Sequence, residues 1–189
     1  MDTESTSRLL PWTNQELEAL LKDLIAHGTE AAKADYKAEL MLDTQDQKAE
    51  FLKDVSAIAN TASDVYADHG FLIYGVSGKA ITGVTTTERN TDKLQNTIEQ
   101  LVKTYLSPMI QLYVIGFTEG AGEAWGTIVV TPNNNKPYRF VKDMQCQDPK
   151  RSRRRGEWFV RRGATTDPGL PEDLTVIMQR QLVVEHRSA

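Results

Sequence analysis

A short continuous apolar run at residues 71–76, Phe-Leu-Ile-Tyr-Gly-Val, constrains the fold of this chain more than any other segment. A run of this length that is apolar on both faces is typical of a strand covered on both sides of a sheet. It therefore predicts a buried central strand. A turn at Ser77-Gly78-Lys79 and a short return strand are expected to follow it. This hairpin context and the glycine spacing argue against the phosphate loop that Gly75 and Lys79 superficially suggest.

Helical periodicity appears on both sides of this run. Thr13 and Glu16 fit a capping box, and an apolar stripe with helical spacing follows and ends before Gly28. Similar stripes predict helices at about 45–61 and 91–106, and a last helix is expected to begin at Pro171. Strands are also predicted at 35–42, 110–117, 124–131, 138–141 and 158–161. This order predicts an α+β fold, with a mixed, mainly antiparallel sheet and helices packed on it.

The composition is that of an ordinary globular protein of about one domain, with 189 residues of which 40% are hydrophobic and 25% charged. The lone cysteine, Cys146, excludes an intramolecular disulfide and a cysteine-rich zinc site. No apolar run approaches the roughly 18 residues that a membrane helix needs, and the polar N-terminus lacks the order of a signal peptide. We therefore expect a cytoplasmic protein without a membrane partner.

Charge is distributed unevenly along the chain, although the net charge is only −4. Residues 150–162 carry seven cationic side chains against a single acid, Glu157. Such a basic block indicates a polyanionic partner, because arginine pairs with phosphates bidentately, and Trp158 and Phe159 within it offer aromatic rings for stacking. The alternative is a solvated basic loop. The candidate nucleic-acid-binding residues are Lys150, Arg151, Arg153, Arg154, Arg155, Arg161 and Arg162.

A second cluster combines carboxylates with a lysine near residue 35. The apolar period of two from 35 to 42 places Asp35, Lys37 and Glu39 on one face of the predicted strand, with Glu30 just upstream. Carboxylates beside a lysine can hold a divalent cation near a phosphodiester, where the metal offsets charge and activates water. The alternative is a solvent-exposed polar face of an edge strand.

Several of these segments match one family in order and spacing. Asp35-Tyr36-Lys37 resembles the Glu-Phe-Lys strand of Schlafen-type AlbA-like domains, and residues 53–61, Lys-Asp-Val-Ser-Ala-Ile-Ala-Asn-Thr, resemble their K-D-I-S-A-F-A-N-T helix end. The run at 71–76 is similar to their Y-L-V-I-G-V strand. Residues 158–166, Trp-Phe-Val-Arg-Arg-Gly-Ala-Thr-Thr, are similar to their Y-V-R-x-G-S-S-T segment. The resemblance covers about residues 25–185.

This resemblance implies a nucleic-acid-binding role, with RNA favoured over DNA. The related Schlafen core cleaves transfer and ribosomal RNA with three acidic residues, of which two correspond to Glu30 and Asp35 and the third to Ser77. The catalytic candidates are therefore Glu30, Asp35 and Lys37, with Mg²⁺ or Mn²⁺ held by Glu30 and Asp35. Because Ser77 replaces an acid, a binding module is the first interpretation; an endoribonuclease and a regulatory nucleotide- or partner-binding domain are the alternatives. The candidate substitutes for the third acid are Asp64, Asp68 and Glu88.

The resemblance also predicts how the chain is organised and assembled. We expect an N-terminal helix and leader at 1–28, the Schlafen AlbA-like domain at 29–185 and a tail at 186–189. Schlafen cores form a cleft from two similar lobes, whereas this chain has one copy. A homodimer is the assembly that would supply the second lobe.

Overall fold

A computed structural model of the chain describes residues 10–28, 33–62, 65–83, 91–119, 123–131 and 137–178. Three of the predicted acidic candidates, Glu30, Asp64 and Glu88, lie outside these residues. Within the described ranges the helices are α1 (Asn14–His27), α2 (Gln45–Asn60) and α3 (Thr91–Tyr105), together with helical residues 171–178. None of the helices in these ranges is long and apolar enough to cross a membrane.

The strands form one larger sheet and several short pairs. The four-stranded sheet has the order β1-β2-β7-β6, in which β1 runs parallel to β2 and the other neighbours are antiparallel. The fold is therefore α+β with a mixed, mainly antiparallel sheet, as predicted. The strands are β1 (Ala34–Lys37), β2 (Gly70–Tyr74), β3 (Val76–Ser77), β4 (Ala80–Ile81), β5 (Leu106–Ser107), β6 (Leu112–Glu119), β7 (Glu123–Val130), β8 (Arg139–Phe140), β9 (Phe159–Arg162) and β10 (Thr165–Pro168).

The apolar run forms β2, which lies inside the sheet and is buried at every residue. Its side chains alternate between two hydrophobic clusters. Leu72 and Tyr74 pack in the cluster that contains α2 and α3, whereas Phe71 and Ile73 pack in the cluster that contains α1. This two-sided burial confirms the central strand and explains why the run has no polar position.

Local signals fix the ends of two helices. Thr13 and Glu16 make the predicted capping box on α1, and Gly28 ends that helix in the left-handed conformation, with φ of 62°. Thr44 and Gln47 make an equivalent capping box on α2. Ser77 lies in the β3–β4 hairpin, which confirms the predicted turn in place of a phosphate loop.

The predicted strand at 35–42 is shorter than expected, since β1 ends at Lys37. Leu40 and Leu42 continue the apolar alternation because they are buried in the α2 cluster from an irregular segment. The strand lies at an edge of the sheet, but the carboxylate on its polar side is buried. Asp35 retains only 7% of its accessible surface, and Lys37 and Arg161 of β9 lie against it.

Asn60 joins three parts of the chain at the C-terminal end of α2. Its side-chain amide donates to the carbonyl oxygens of Tyr138 and Phe159 at 2.8 and 2.9 Å, and its Oδ1 accepts from the Tyr138 N–H at 2.7 Å. The side chain is 1% exposed. The backbone next to β8 and the start of β9 therefore depend on one amide for their hydrogen bonds.

We expect Asn60→Ala to lower the free energy of unfolding by about 3 kcal/mol, because it leaves buried backbone groups without partners. Urea unfolding measures this change. Asn96→Ala, on the exposed face of α3, is the matched control and should change stability by less than about 0.5 kcal/mol. Equal effects of the two substitutions would contradict the role given to Asn60.

Candidate nucleic-acid interface

The polar side of β1 meets a carboxylate from α2. Lys37 Nζ lies 3.0 Å from Asp35 Oδ2 and 2.7 Å from Asp54 Oδ2. Both carboxylates are buried, whereas the Lys37 side chain is about one-third exposed. The contact with Asp35 is an ion pair without hydrogen-bond geometry, since Asp35 Oδ2 receives no hydrogen bond within the described residues. Sequence reasoning matched Asp54 to a family motif but assigned it no role.

Arg161 reaches the same carboxylate from β9. Its Nη1 lies 3.0 Å from Asp35 Oδ1, and its Nη2 donates to the carbonyl oxygen of Ala164. The Arg161 backbone N–H donates to Thr61 Oγ1 at the end of α2, at 2.7 Å. We call Asp35, Lys37, Asp54 and Arg161 the charge cluster. It joins β1, α2 and β9 beneath the surface.

The charge cluster shifts the protonation of two of its members. Burial raises the pKa of Asp54, the Lys37 ammonium lowers it in part, and the Asp35 charge raises it further. For Lys37, burial lowers the pKa, but the charges of Asp54 and Asp35 outweigh burial and leave its pKa raised. The Lys37 ammonium thus offsets part of the burial cost of the Asp54 carboxylate.

Asp68 and Glu39 are the other acidic candidates within the described residues. Asp68 Oδ1 lies 3.1 Å from the buried Lys33 Nζ, which also donates to the Ile58 carbonyl oxygen. Ser77 and Glu39 are exposed. Among the residues that the structure describes, no group of three or more His, Cys, Asp or Glu side chains could hold a metal ion. The Mg²⁺ or Mn²⁺ site at Glu30 and Asp35 stays a prediction.

The basic segment does not present all of its cations to solvent. Arg153 is 6% exposed, is bonded to Glu50, and lies over the Phe159 ring with its guanidinium carbon 5.4 Å from the centroid. Arg161 is 5% exposed within the charge cluster. Arg162 is exposed but donates two hydrogen bonds to the Asp173 carboxylate. Three of the seven candidate nucleic-acid-binding residues are therefore bonded to carboxylates of the same chain, and the binding role of all seven stays a prediction.

The remaining cations lie together on the surface. Met144 pairs with Arg153 in an antiparallel bridge, and Phe140 exchanges backbone hydrogen bonds with residues 156 and 157. This pairing places Lys142 opposite the arginines of the basic segment. Lys142 is not among the candidates named from the sequence, because its position there depends on the antiparallel pairing of 140–144 with 153–157. We call the following five exposed residues the basic rim: Lys142, Lys150, Arg151, Arg154 and Arg155.

We expect Lys37→Met to make the free energy of unfolding depend on pH through the buried carboxylate of Asp54. Without the ammonium, the pKa of Asp54 rises further above its unfolded value, so the folded state binds the proton more tightly and stability falls as pH rises through that interval. In urea unfolding, the free energy of unfolding of Lys37→Met should be lower than that of wild type by about 2–3 kcal/mol at about pH 8, and by less at about pH 5.

The double variant Lys37→Met/Asp54→Asn is the control, since it removes the carboxyl group that takes up the proton. Its deficit should be the same at both pH values. An equal deficit at both pH values in the single variant would contradict this account of the charge cluster.

Comparison with known protein families identifies the family of this chain. A model of the family described as Schlafen, AlbA_2 matches residues 30–170, which include the charge cluster, Asn60 and the basic rim. A search of curated proteins finds no match. The match spans well over half of the chain and supports a nucleic-acid-binding domain in general. The chain belongs to the Schlafen AlbA_2 family.

Proposed function

We propose that this chain binds structured RNA and that the basic rim makes the phosphate contacts. The observation that carries the proposal is the division of the cations into two sets. Arg153, Arg161 and Arg162 are bonded to carboxylates of the same chain. Within the described residues, Lys142, Lys150, Arg154 and Arg155 are exposed and make no ion pair, and Arg151 makes only a long one to Asp148, at 3.7 Å.

Exposed cations without a carboxylate partner are the groups that a phosphate backbone can recruit at the lowest cost. Their charges are already solvated, so binding exchanges counterions for phosphates and need not break an internal pair. Guanidinium groups also match phosphate oxygens bidentately. The preference for RNA over DNA rests on the Schlafen relationship, and the recognition that we expect is of shape and backbone.

The rim proposal is tested with Arg154→Ala/Arg155→Ala. We expect weaker binding to transfer RNA and a log affinity against log salt slope that is shallower by about 1.4–1.8, since each phosphate contact contributes roughly 0.7–0.9. Filter binding across a salt series measures both quantities. Arg153 is left unchanged because its buried guanidinium pairs with Glu50, and its removal would leave that carboxylate without this partner.

The control for net charge removes two cations from the opposite side of the sheet, of which Lys22 is paired with Glu18 and Glu119. Lys22 lies on α1, and Lys79 lies in the adjacent β3–β4 turn. Lys22→Ala/Lys79→Ala changes net charge equally, so it separates a local contact from general electrostatic attraction. If both double variants reduce affinity and slope to the same extent, the basic rim is not the contact surface.

A metal-dependent endoribonuclease is the second candidate, and two observations favour it. A pocket of about 260 Å³ is lined by both Lys37 and Arg151, so it connects the charge cluster with the basic rim. The buried carboxylate of Asp35 also offers oxygens of the kind that Mg²⁺ prefers, and Lys37 Nζ lies 3.0 Å from its Oδ2. Glu30 and Asp35 would then hold Mg²⁺ or Mn²⁺, which would supply the charge neutralisation and water activation that hydrolysis needs, with Lys37 beside the phosphate.

Incubation of transfer RNA with Mn²⁺ tests this candidate. We expect cleavage by wild type and by Lys22→Ala/Lys79→Ala, and none by Glu30→Ala. Asp35→Ala is less informative, because it also removes a carboxylate from the charge cluster and should destabilise the fold. Intact RNA with folded wild type, or equal cleavage by Glu30→Ala, would exclude the nuclease and leave the binding proposal in place.

A further inference from the structure

A cleft of about 640 Å³ opens beside the basic rim. Its size is within the range of sites that hold small molecules. Lys150 and Arg151 of the rim line it, together with the half-buried Trp158 and with Phe159, over whose ring Arg153 lies. The cleft therefore combines aromatic rings with cations in one cavity, on the side of the chain where we place the RNA.

The ring of Trp158 is held in a fixed position. A Cβ added at Gly169 would lie 2.3 Å from the indole ring atoms, so the Gly169 backbone is packed against the ring. The Gly169 N–H also donates to the Trp158 carbonyl oxygen at 2.9 Å. Pro168 lines the cleft next to this contact. A half-buried indole that is already held by Gly169 loses little entropy when a ring stacks on it.

Charges in the cleft are divided between its interior and its mouth. In the interior, Arg153 is bonded to Glu50 and lies over Phe159, so its charge is largely neutralised. Lys150 at the mouth is exposed and makes no ion pair within the described residues. Arg151 beside it has only the long contact with Asp148. An anionic group is therefore best accommodated beside Lys150 and Arg151.

Glu157 adds a hydrogen-bond acceptor to the same cleft. Its side chain is half-buried and makes no hydrogen bond or ion pair among the described residues. An ionised carboxylate only accepts hydrogen bonds, so it favours a ring that carries neighbouring N–H groups. Guanine presents two adjacent N–H donors on one edge, whereas uracil presents a single N–H between two carbonyl oxygens.

We propose that this cleft holds one unpaired nucleotide, with its base on Trp158, its phosphate at Lys150 and Arg151, and guanine favoured over uracil by Glu157. The inference rests on the proposed function, because the nucleotide would belong to the RNA that the basic rim binds. In this arrangement the Trp158 ring stacks on the base, and Lys150 and Arg151 bind the phosphate. Glu157 accepts hydrogen bonds from the edge of the base.

Calorimetric titration of the full chain with guanosine 5′-monophosphate, uridine 5′-monophosphate and ribose 5-phosphate tests the inference. We expect guanosine monophosphate to bind about tenfold or more tightly than ribose 5-phosphate, which lacks the base. Trp158→Leu should remove this advantage, whereas Trp158→Phe, which keeps a ring, should retain most of it. Lys150→Ala/Arg151→Ala should weaken all three ligands, and Glu157→Gln should remove the preference for guanine over uracil.

Equal affinity for guanosine monophosphate and ribose 5-phosphate, or wild-type affinity in Trp158→Leu, would overturn the inference. If Trp158→Leu does not fold, Lys150→Ala/Arg151→Ala and Glu157→Gln decide, and unchanged guanosine monophosphate affinity in both overturns it. Salt-sensitive transfer RNA binding without nucleotide binding would overturn the cleft proposal and leave the rim proposal standing. Nucleotide binding without transfer RNA binding would overturn the rim proposal and leave nucleotide binding in the cleft standing.

Discussion

The buried ion pair between Arg161 and Asp35 joins β9 to the edge strand β1, and the arrangement of the other charges depends on it. Lys37 lies between Asp35 and Asp54, so the same cluster also connects β1 to α2. A buried charge is tolerated only where opposite charges and hydrogen bonds compensate it. The fold therefore retains some cations internally and leaves others exposed, and the proposed interface consists of the exposed ones.

This division explains why neither net charge nor the count of basic residues describes the surface well. The segment 150–162 is strongly basic in sequence, yet Arg153 and Arg161 are internal and Arg162 is bonded to Asp173. The residues that carry the resemblance to the Schlafen family, among them Asp35, Asp54, Asn60 and Arg161, mainly connect β1, α2 and β9 in this chain. They identify the fold, whereas the exposed cations beside them support the binding function.

Features set by local physics could be predicted from the sequence. The capping boxes at Thr13 and Thr44 involve residues three apart. The apolar run of β2 has no polar position, and this pattern predicts burial on both faces of the strand. Which arginines are internal could not be predicted in this way, because each pairing joins segments far apart in sequence and depends on the final packing. The overlong strand prediction at 35–42 has the same origin: Leu40 and Leu42 are buried by tertiary contacts outside any strand.

An NMR titration with a short RNA hairpin, followed on the backbone amides, tests the central claim most directly, because it reports where the ligand contacts the folded chain. The account predicts the largest shift changes at residues 142 and 150–155, with small changes in α1 and in the β3–β4 hairpin on the other side of the sheet. Largest changes in α1 and that hairpin, with residues 150–155 unaffected, would contradict the assignment of the basic rim as the nucleic-acid interface.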